Sequence, residues 1–282
     1  MKKIALVPNE LRDTGLVETK LVIDVLKSYG AEIYAEKGFA SKLGSGIEYG
    51  TTENVLRDAD AAVVLGGDGT ILNIAPYAAV YGVPILGINL GNLGFLAHAE
   101  KGDYSVFESL FDGQYSVTSC MMLDATVVHK GVEGESFLAL NDVVASAGGM
   151  SKMTNISVAV NGTNIGSYSA DGLIVATAVG STAYSLSAGG AILHPDLDAM
   201  IITPICPHTL KARCTVVPGN DEIWISPAKP YRSEVSLLID GESRGVLEND
   251  EFIKVTKSKY RTRLIKPNNK NFFDVLRQKL SD

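Results

Sequence analysis

The run Val63-Val64-Leu65-Gly66-Gly67-Asp68-Gly69-Thr70 sets three glycines around one carboxylate, after an apolar segment and before a helix-like one. Glycine lets a backbone turn sharply and come close to a ligand. The first N–H groups of a helix add free donors and the positive end of a dipole. Such a cradle suits phosphate. Asp68 could accept a proton from a hydroxyl or hold a metal ion, so the run points to phosphoryl transfer at the C-terminal end of a strand. Gly-Gly-Asp-Gly is also an ordinary tight turn, and only the motifs farther along the chain give it a chemical meaning.

Downstream, Gly87-Ile88-Asn89-Leu90-Gly91-Asn92-Leu93-Gly94-Phe95-Leu96 reads as a strand running into an irregular turn. Facing a nucleotide, Asn89 would hydrogen-bond and Phe95 would line a pocket. A longer stretch spans Ala170 to Gly190: Asp171-Gly172 opens a strand that runs into Gly180-Ser181-Thr182-Ala183-Tyr184-Ser185-Leu186-Ser187. Its small side chains admit a close backbone or ligand, and its hydroxyls supply polar contacts. Asn141-Asp142 follows the apolar Phe137–Leu140, and Asp240-Gly241-Glu242 follows Val235–Ile239.

The elements that must position these residues change character along the chain. Short β-rich runs at 3–7, 31–35, 61–65 and 84–88 alternate with helical patterns at 14–29 and 70–81. That alternation predicts a mostly parallel sheet with flanking helices, with ligands at the strand C-termini. Within the first helix Val17, Leu21, Val25 and Leu26 fall on one face, Asp13 or Thr14 can cap the start and Gly30 the end, while Pro76 is expected to shorten or kink the second. Residues 38–50 read as a loop and 104–111 as one more helix. Beyond it, β-branched runs at 124–129, 137–140, 156–160, 173–176, 215–217, 222–225, 235–239 and 252–256 predict an all-β second part. Asn161-Gly162 and Asp240-Gly241 are hairpin turns by type. The segment Asn271 to Leu280 is helical in pattern, with Phe272, Phe273, Val275, Leu276 and Leu280 available for burial against the first part. The expected division is 1–103, an α/β nucleotide-binding domain; 104–258, a β-rich domain; and 259–282, a segment packing back on the first.

The chain has 282 residues, 46% hydrophobic and 20% charged, enough for a substantial core. The net charge of −7, with no basic block, argues against nucleic-acid partners. No stretch is long enough to cross a bilayer, and the N-terminal apolar run is too short for a signal peptide. Three cysteines are a reducing-compartment pattern, and the expected location is cytoplasmic. Cys206, His208 and Cys214 match no standard zinc spacing. None of the four histidines is given a catalytic role.

In this order the motifs resemble the NAD kinase family: Gly66–Thr70, Gly87–Leu96, Asn141-Asp142, Asp171-Gly172 and Gly180–Tyr184, with Thr203–Leu210 and Phe273–Leu280 as further family-like runs. The resemblance covers nearly the whole chain. It implies an α/β N-terminal domain, a β-rich C-terminal domain and a chain end that returns to the first. It also implies Mg²⁺ (or another divalent metal)-dependent transfer of a phosphoryl group from ATP or polyphosphate to the 2′-hydroxyl of the adenosine ribose of NAD, giving NADP. Homodimers or homotetramers are usual in the family.

By motif match Asp68 is the general base, with Gly66, Gly67, Gly69, Thr70, Asn89 and Phe95 about the nucleotide. Asn141 and Asp142 would contact ribose and the adenine side; Asp171, Thr182, Ala183, Tyr184, Ser185, Leu186, Ser187 and Glu242 would contact NAD, some across a subunit boundary. Lys152 and Ser169 join them by proximity. No residue is assigned to metal.

Three positions depart from the family pattern: Asp142 for Glu, Ala178-Val179 for Pro-Thr, and Glu242 for Gln. They put affinity and cofactor preference in question and leave Asp68 and its cradle intact. Two other readings stay open on sequence: a Gly-Gly-Asp-Gly kinase acting on a lipid or sugar hydroxyl, and a dinucleotide sensor without turnover.

Overall fold

The computed structural model describes residues 1–91, 94–148, 153–209, 211–231, 234–267 and 271–280. The chain divides into two compact units: Met1–Cys120 with Tyr260–Asp282, and Met121–Lys259.

The first unit opens with β1 (Lys3–Pro8), α1 (Val17–Ser28), β2 (Glu32–Glu36), α2 (Ala40–Leu43), β3 (Glu48–Gly50) and α3 (Thr52–Arg57). It continues through β4 (Ala61–Gly66), α4 (Asp68–Tyr81), β5 (Ile85–Asn89), the two-residue β6 (Ala99–Glu100) and α5 (Ser105–Phe111). The strands run parallel in the order β3-β2-β1-β4-β5, and β6 pairs with the end of β5. A strand with helices on both faces has no wet side, so β4 reads Ala-Ala-Val-Val-Leu-Gly, buried throughout.

Three expectations for this unit need correction. The helix foreseen over 14–29 breaks in two, because Gly15 (φ 73°) and Leu16 (φ 55°) leave the helical region before Val17. Its buried face is Val22, Ile23 and Leu26, while Val17 and Leu21 face solvent. Asp13 still caps it: its carboxylate accepts the N–H groups of Glu18 (3.1 Å) and Thr19 (2.7 Å). The stretch 38–50, expected as a loop, holds α2 and β3. Pro76 does not end α4, which continues to Tyr81.

The second unit is built from β7 (Ser116–His129), β8 (Val132–Ala139), β9 (Asp142–Ala147), β10 (Thr154–Val160), β11 (Thr163–Ala170) and β12 (Gly172–Thr177). A short α6 (Tyr184–Ser187) precedes β13 (Ala199–Ile205), β14 (Thr215–Pro218), β15 (Ile223–Pro227), β16 (Val235–Ile239), β17 (Glu242–Leu247) and β18 (Glu251–Lys266). One antiparallel sheet runs β14-β13-β12-β9-β16-β17; the other places β11, β10, β15 and the first part of β18 side by side. Alternating burial along β10, β15 and β16 sends Ile156, Val158, Ile223, Ile225, Leu237 and Ile239 into one shared core with Leu173 and Val175. The opposite face of β12, with Ile174 and Ala176, is covered as well. The turns Asn161-Gly162 (φ 48°, 76°) and Asp240-Gly241 (φ 48°, 86°) take left-handed backbone at both central residues, the geometry that closes a two-residue hairpin with the strands' own twist.

The later part of β18 returns to the first unit, where Leu264 pairs in parallel with Ile85. Beyond it α7 (Phe272–Leu280) buries none of its residues, contrary to expectation; Phe273 and Leu280 are exposed.

Candidate active site

In the first unit the C-terminal ends of β1, β4 and β5 open into a cleft of about 420 Å³. Asn9, Arg12, Asn73, Asn89, Gly91, Gly94 and Lys279 line it, together with the run Gly66-Gly67-Asp68-Gly69-Thr70. Asp68 is the first residue of α4, so free N–H groups and the positive dipole end face the cleft beside it. Both of its oxygens are held: Phe95 N–H donates to Oδ2 at 2.8 Å and Leu96 N–H to Oδ1 at 3.1 Å. An ionised carboxylate has about four acceptor sites, and the rest stay open to a hydroxyl. The loop can close on Asp68 because residue 94 is glycine; a Cβ there would sit 1.9 Å from Asp68 Oδ1. Asn9 steadies the cradle by donating to Thr70 Oγ1 at 2.7 Å.

In the second unit the Asn141-Asp142 pair lies at the start of β9, tied from two sides. The Asp240 carboxylate accepts the N–H groups of Leu140, Asn141 and Asp142, at 2.8, 2.8 and 2.9 Å. Thr177 N–H donates to the Asn141 carbonyl at 2.8 Å, and Thr177 Oγ1 donates to the Leu140 carbonyl at 2.7 Å. Gly180 packs so tightly here that a Cβ would lie 2.0 Å from the Asn141 backbone oxygen. Burial raises the Asp142 carboxyl to about 7, with the Asp240 charge adding to the shift. Burial raises Asp240 as well, against three backbone hydrogen bonds that pull it down. Asn141 Oδ1 is buried with no hydrogen-bond partner among the described residues. Leaving such an acceptor bare costs stability, and a ligand N–H or O–H would satisfy it.

Two family models cover most of the chain: the ATP-NAD kinase N-terminal domain over residues 12–115 and the ATP-NAD kinase C-terminal domain over 140–267. The chain belongs to the ATP-NAD kinase family. The NAD kinase of Caldanaerobacter subterraneus subsp. tengcongensis is 41% identical over 283 residues, covering 100% of both chains. That of Symbiobacterium thermophilum is 40% identical over 282 residues, covering 100% of this chain and 99% of its own. An Archaeoglobus fulgidus NAD kinase solved in complex with ATP is 27% identical with a TM-score of 0.76, covering 99% of this chain and 98% of its own. A yeast NADH kinase complexed with NADH, at 24% identity and TM-score 0.89 over 100% of this chain and 87% of its own, shares the fold. The chain is therefore an NAD kinase, with an α/β unit and a β unit.

Among the residues this NAD kinase was expected to use, the cleft gathers Gly66, Gly67, Asp68, Gly69, Thr70 and Asn89, and Phe95 reaches them through its N–H. In the second unit, Thr182 Oγ1 donates back to the Val179 carbonyl at 3.0 Å. Ser185 is buried and shares a 2.9 Å hydrogen bond with Thr203. Tyr184 and Ser187 are exposed, and Ala183 and Leu186 half-buried. Asp171 and Ser169 are half-buried; their carbonyls accept the N–H groups of Ala147 and His208. Glu242 is exposed and paired with Arg244 at 2.7 Å. Lys152 lies outside the described residues.

Asn9, Arg12, Asn73, Lys279 and the clamp Asp240 were not foreseen as site residues. Asp240 was legible only as a turn, since its partners lie about a hundred positions earlier. A divalent metal would meet one carboxylate, Asp68, and nearby asparagine amides. That set suits Mg²⁺ carried mainly by donor phosphates and water, which prefers few protein ligands. Another potential cation group among the described residues, His129, Glu248 and Asp250, lies elsewhere, in the second unit. No helix among the described residues is long and apolar enough to cross a membrane.

Proposed function

We propose that this NAD kinase moves the γ-phosphoryl group of ATP to the 2′-hydroxyl of the adenosine ribose of NAD, with Asp68 as the general base. The observation that carries this reading is the fixed Asp68 carboxylate inside a glycine cradle at a helix N-terminus. A ribose hydroxyl is a poor nucleophile until it is aligned and its proton has somewhere to go. Asp68 takes that proton; the Gly66–Thr70 N–H groups and the α4 dipole receive the phosphates. Bound Mg²⁺ would offset charge on the donor, and Asp68 is the cleft carboxylate that would help hold it.

The acceptor side is the work of the second unit. Asn141 and Asp142 contact the adenosine ribose, and the 180–187 turn, Asp171, Ser169 and Glu242 contribute to the dinucleotide site, as does Lys152. A proton on Asp142 near neutral pH lets its carboxyl donate as well as accept. We also infer a cytoplasmic homodimer or homotetramer; light scattering of the purified chain tests the assembly. Polyphosphate as an alternative donor is tested by substituting it for ATP.

The central test incubates the purified chain with NAD⁺, ATP and Mg²⁺ and reads NADP⁺ with an NADP-specific dehydrogenase. Asp68→Asn is run beside it, with folding checked by circular dichroism. NADP⁺ from the wild type and a loss of about a thousandfold or more in the folded variant are the expected result. Full activity in the variant would remove Asp68 as base.

A further inference from the structure

We propose that Lys279 and Arg12 form the cationic part of the donor site, binding the β- and γ-phosphates of ATP in the cleft that holds Asp68. This rests on the kinase reading above and adds the groups that recognise the donor's charge. Among the described residues, Arg12, Asp68 and Lys279 are the charged residues lining the cleft, so that lining is net positive in a chain whose net charge is −7. A local charge opposite in sign to the whole marks a site that concentrates an anion.

Lys279 is placed rather than loose, and Arg12 stands at the cleft's other side. Lys279 Nζ lies 5.0 Å from the centre of the Phe95 ring, within cation–π range. Phe95 also meets Phe272 at 6.5 Å, so the same ring seats both ends of α7. The Phe95 N–H holds Asp68 Oδ2. One residue thus locates the base through its backbone and the Lys279 ammonium through its side chain. Arg12 Nη1 stands 3.4 Å from where a Cβ on Gly91 would be, at the β5 side of the cleft. Among the described residues neither Lys279 nor Arg12 is ion-paired with a carboxylate, whereas Arg277 on the same helix is paired with Asp274 at 2.9 Å. Unpaired cations beside backbone N–H donors are what a triphosphate needs. The arginine fork can take two oxygens of one phosphate, and the lysine acts as a point charge. Helix α7 buries no residue, so its placement contributes little to the core.

The test is calorimetric titration of ATP with Mg²⁺ into the full chain, alongside KM for ATP and for NAD⁺. Lys279 is exposed, so its variants are expected to fold. Lys279→Ala and Arg12→Ala should each raise the Kd for ATP about tenfold or more, with KM for NAD⁺ unchanged. Lys279→Arg should recover most of the loss. Lys279→Met separates charge from contact: it can still cover Phe95, and it should bind ATP as poorly as the alanine variant. ATP affinity within twofold of wild type in Lys279→Ala, recovery in Lys279→Met, or no ATP uptake by the wild type would overturn the assignment. Wild type that binds ATP with this dependence but makes no NADP⁺ would overturn the kinase reading and leave the donor site standing.

Discussion

Asp240 grips the Asp142 backbone from both sides, with its carboxylate and with its own N–H. Asp240 Oδ1 accepts the Asp142 N–H at 2.9 Å, and the Asp240 N–H returns a bond to the Asp142 carbonyl at 3.0 Å. The turn residue is thereby a buried clamp for the paired residues Asn141 and Asp142. Asp240→Asn keeps one acceptor oxygen and turns an NH₂ group against N–H donors. The expected cost is about 1–3 kcal/mol of stability, read as a lower urea midpoint. KM for NAD⁺ should rise while KM for ATP stays put; an equal change in both would deny the clamp its selective role.

Asp142 makes stability depend on pH in a direction opposite to an ordinary salt-bridged carboxylate. Its pKa rises from 3.8 to about 7 through burial and the Asp240 charge. The folded chain keeps the proton where the unfolded chain has lost it, so this contribution is full below the unfolded value and is lost as pH rises to about 7. The slope approaches about 1.4 kcal/mol per pH unit inside that window. Asp240, also raised, acts in the same sense. Asp142→Asn removes the first of these contributions, and urea midpoints at pH 5, 6, 7 and 8 should then fall less steeply than in wild type. Parallel curves would contradict the assignment.

Gly94 is where the smallest side chain should do the most damage to catalysis. Its Cβ would enter the space of Asp68 Oδ1, so Gly94→Ala must push the carboxylate or the loop aside. A displacement of about 1 Å at a reacting group costs about a hundredfold. Steady-state kinetics should show that fall in kcat, alongside a modest fall in melting temperature because Gly94 is buried and the added methyl overpacks it. A variant with normal kcat would show that the loop is not what fixes the proposed base, Asp68.

Asn141 Oδ1 predicts a separation of stability from binding. Truncating a buried polar side chain is ordinarily costly, yet here the lost oxygen has no partner to leave behind among the described residues. Asn141→Ala should therefore stay within about 1 kcal/mol of wild type, while its KM for NAD⁺ rises about tenfold. Unfolding of the variant, or an unchanged KM, would count against a ligand-facing amide.

The parallel strands were legible because burial on both faces demands unbroken apolar runs: residues 61–65 and 84–88 became Ala61–Gly66 and Ile85–Asn89. The Asn-Gly and Asp-Gly turns were legible because left-handed backbone restricts residue type. The glycine cradle was legible because close approach also restricts residue type. What escaped was long-range. Arg12 and Lys279 reach the cleft from opposite ends of the sequence, and no local pattern links them. The α1 face was misjudged because Val17 and Leu21 do share a helix face, but the face that packs on the sheet carries Val22, Ile23 and Leu26, and no local pattern chooses between the two apolar arcs.

The return of β18 to the first unit carries a consequence for synthesis. Strand β5 is buried along its whole length and apolar up to Asn89, and it gains its pairing with Leu264 only after the entire second unit has been made. Until then the nascent chain leaves the Ile85–Gly87 part of this edge open, beyond the short pairing with β6 at Ile88 and Asn89, a template for pairing with other copies. Products that stop near Lys259 should therefore aggregate through the strand that carries Asn89.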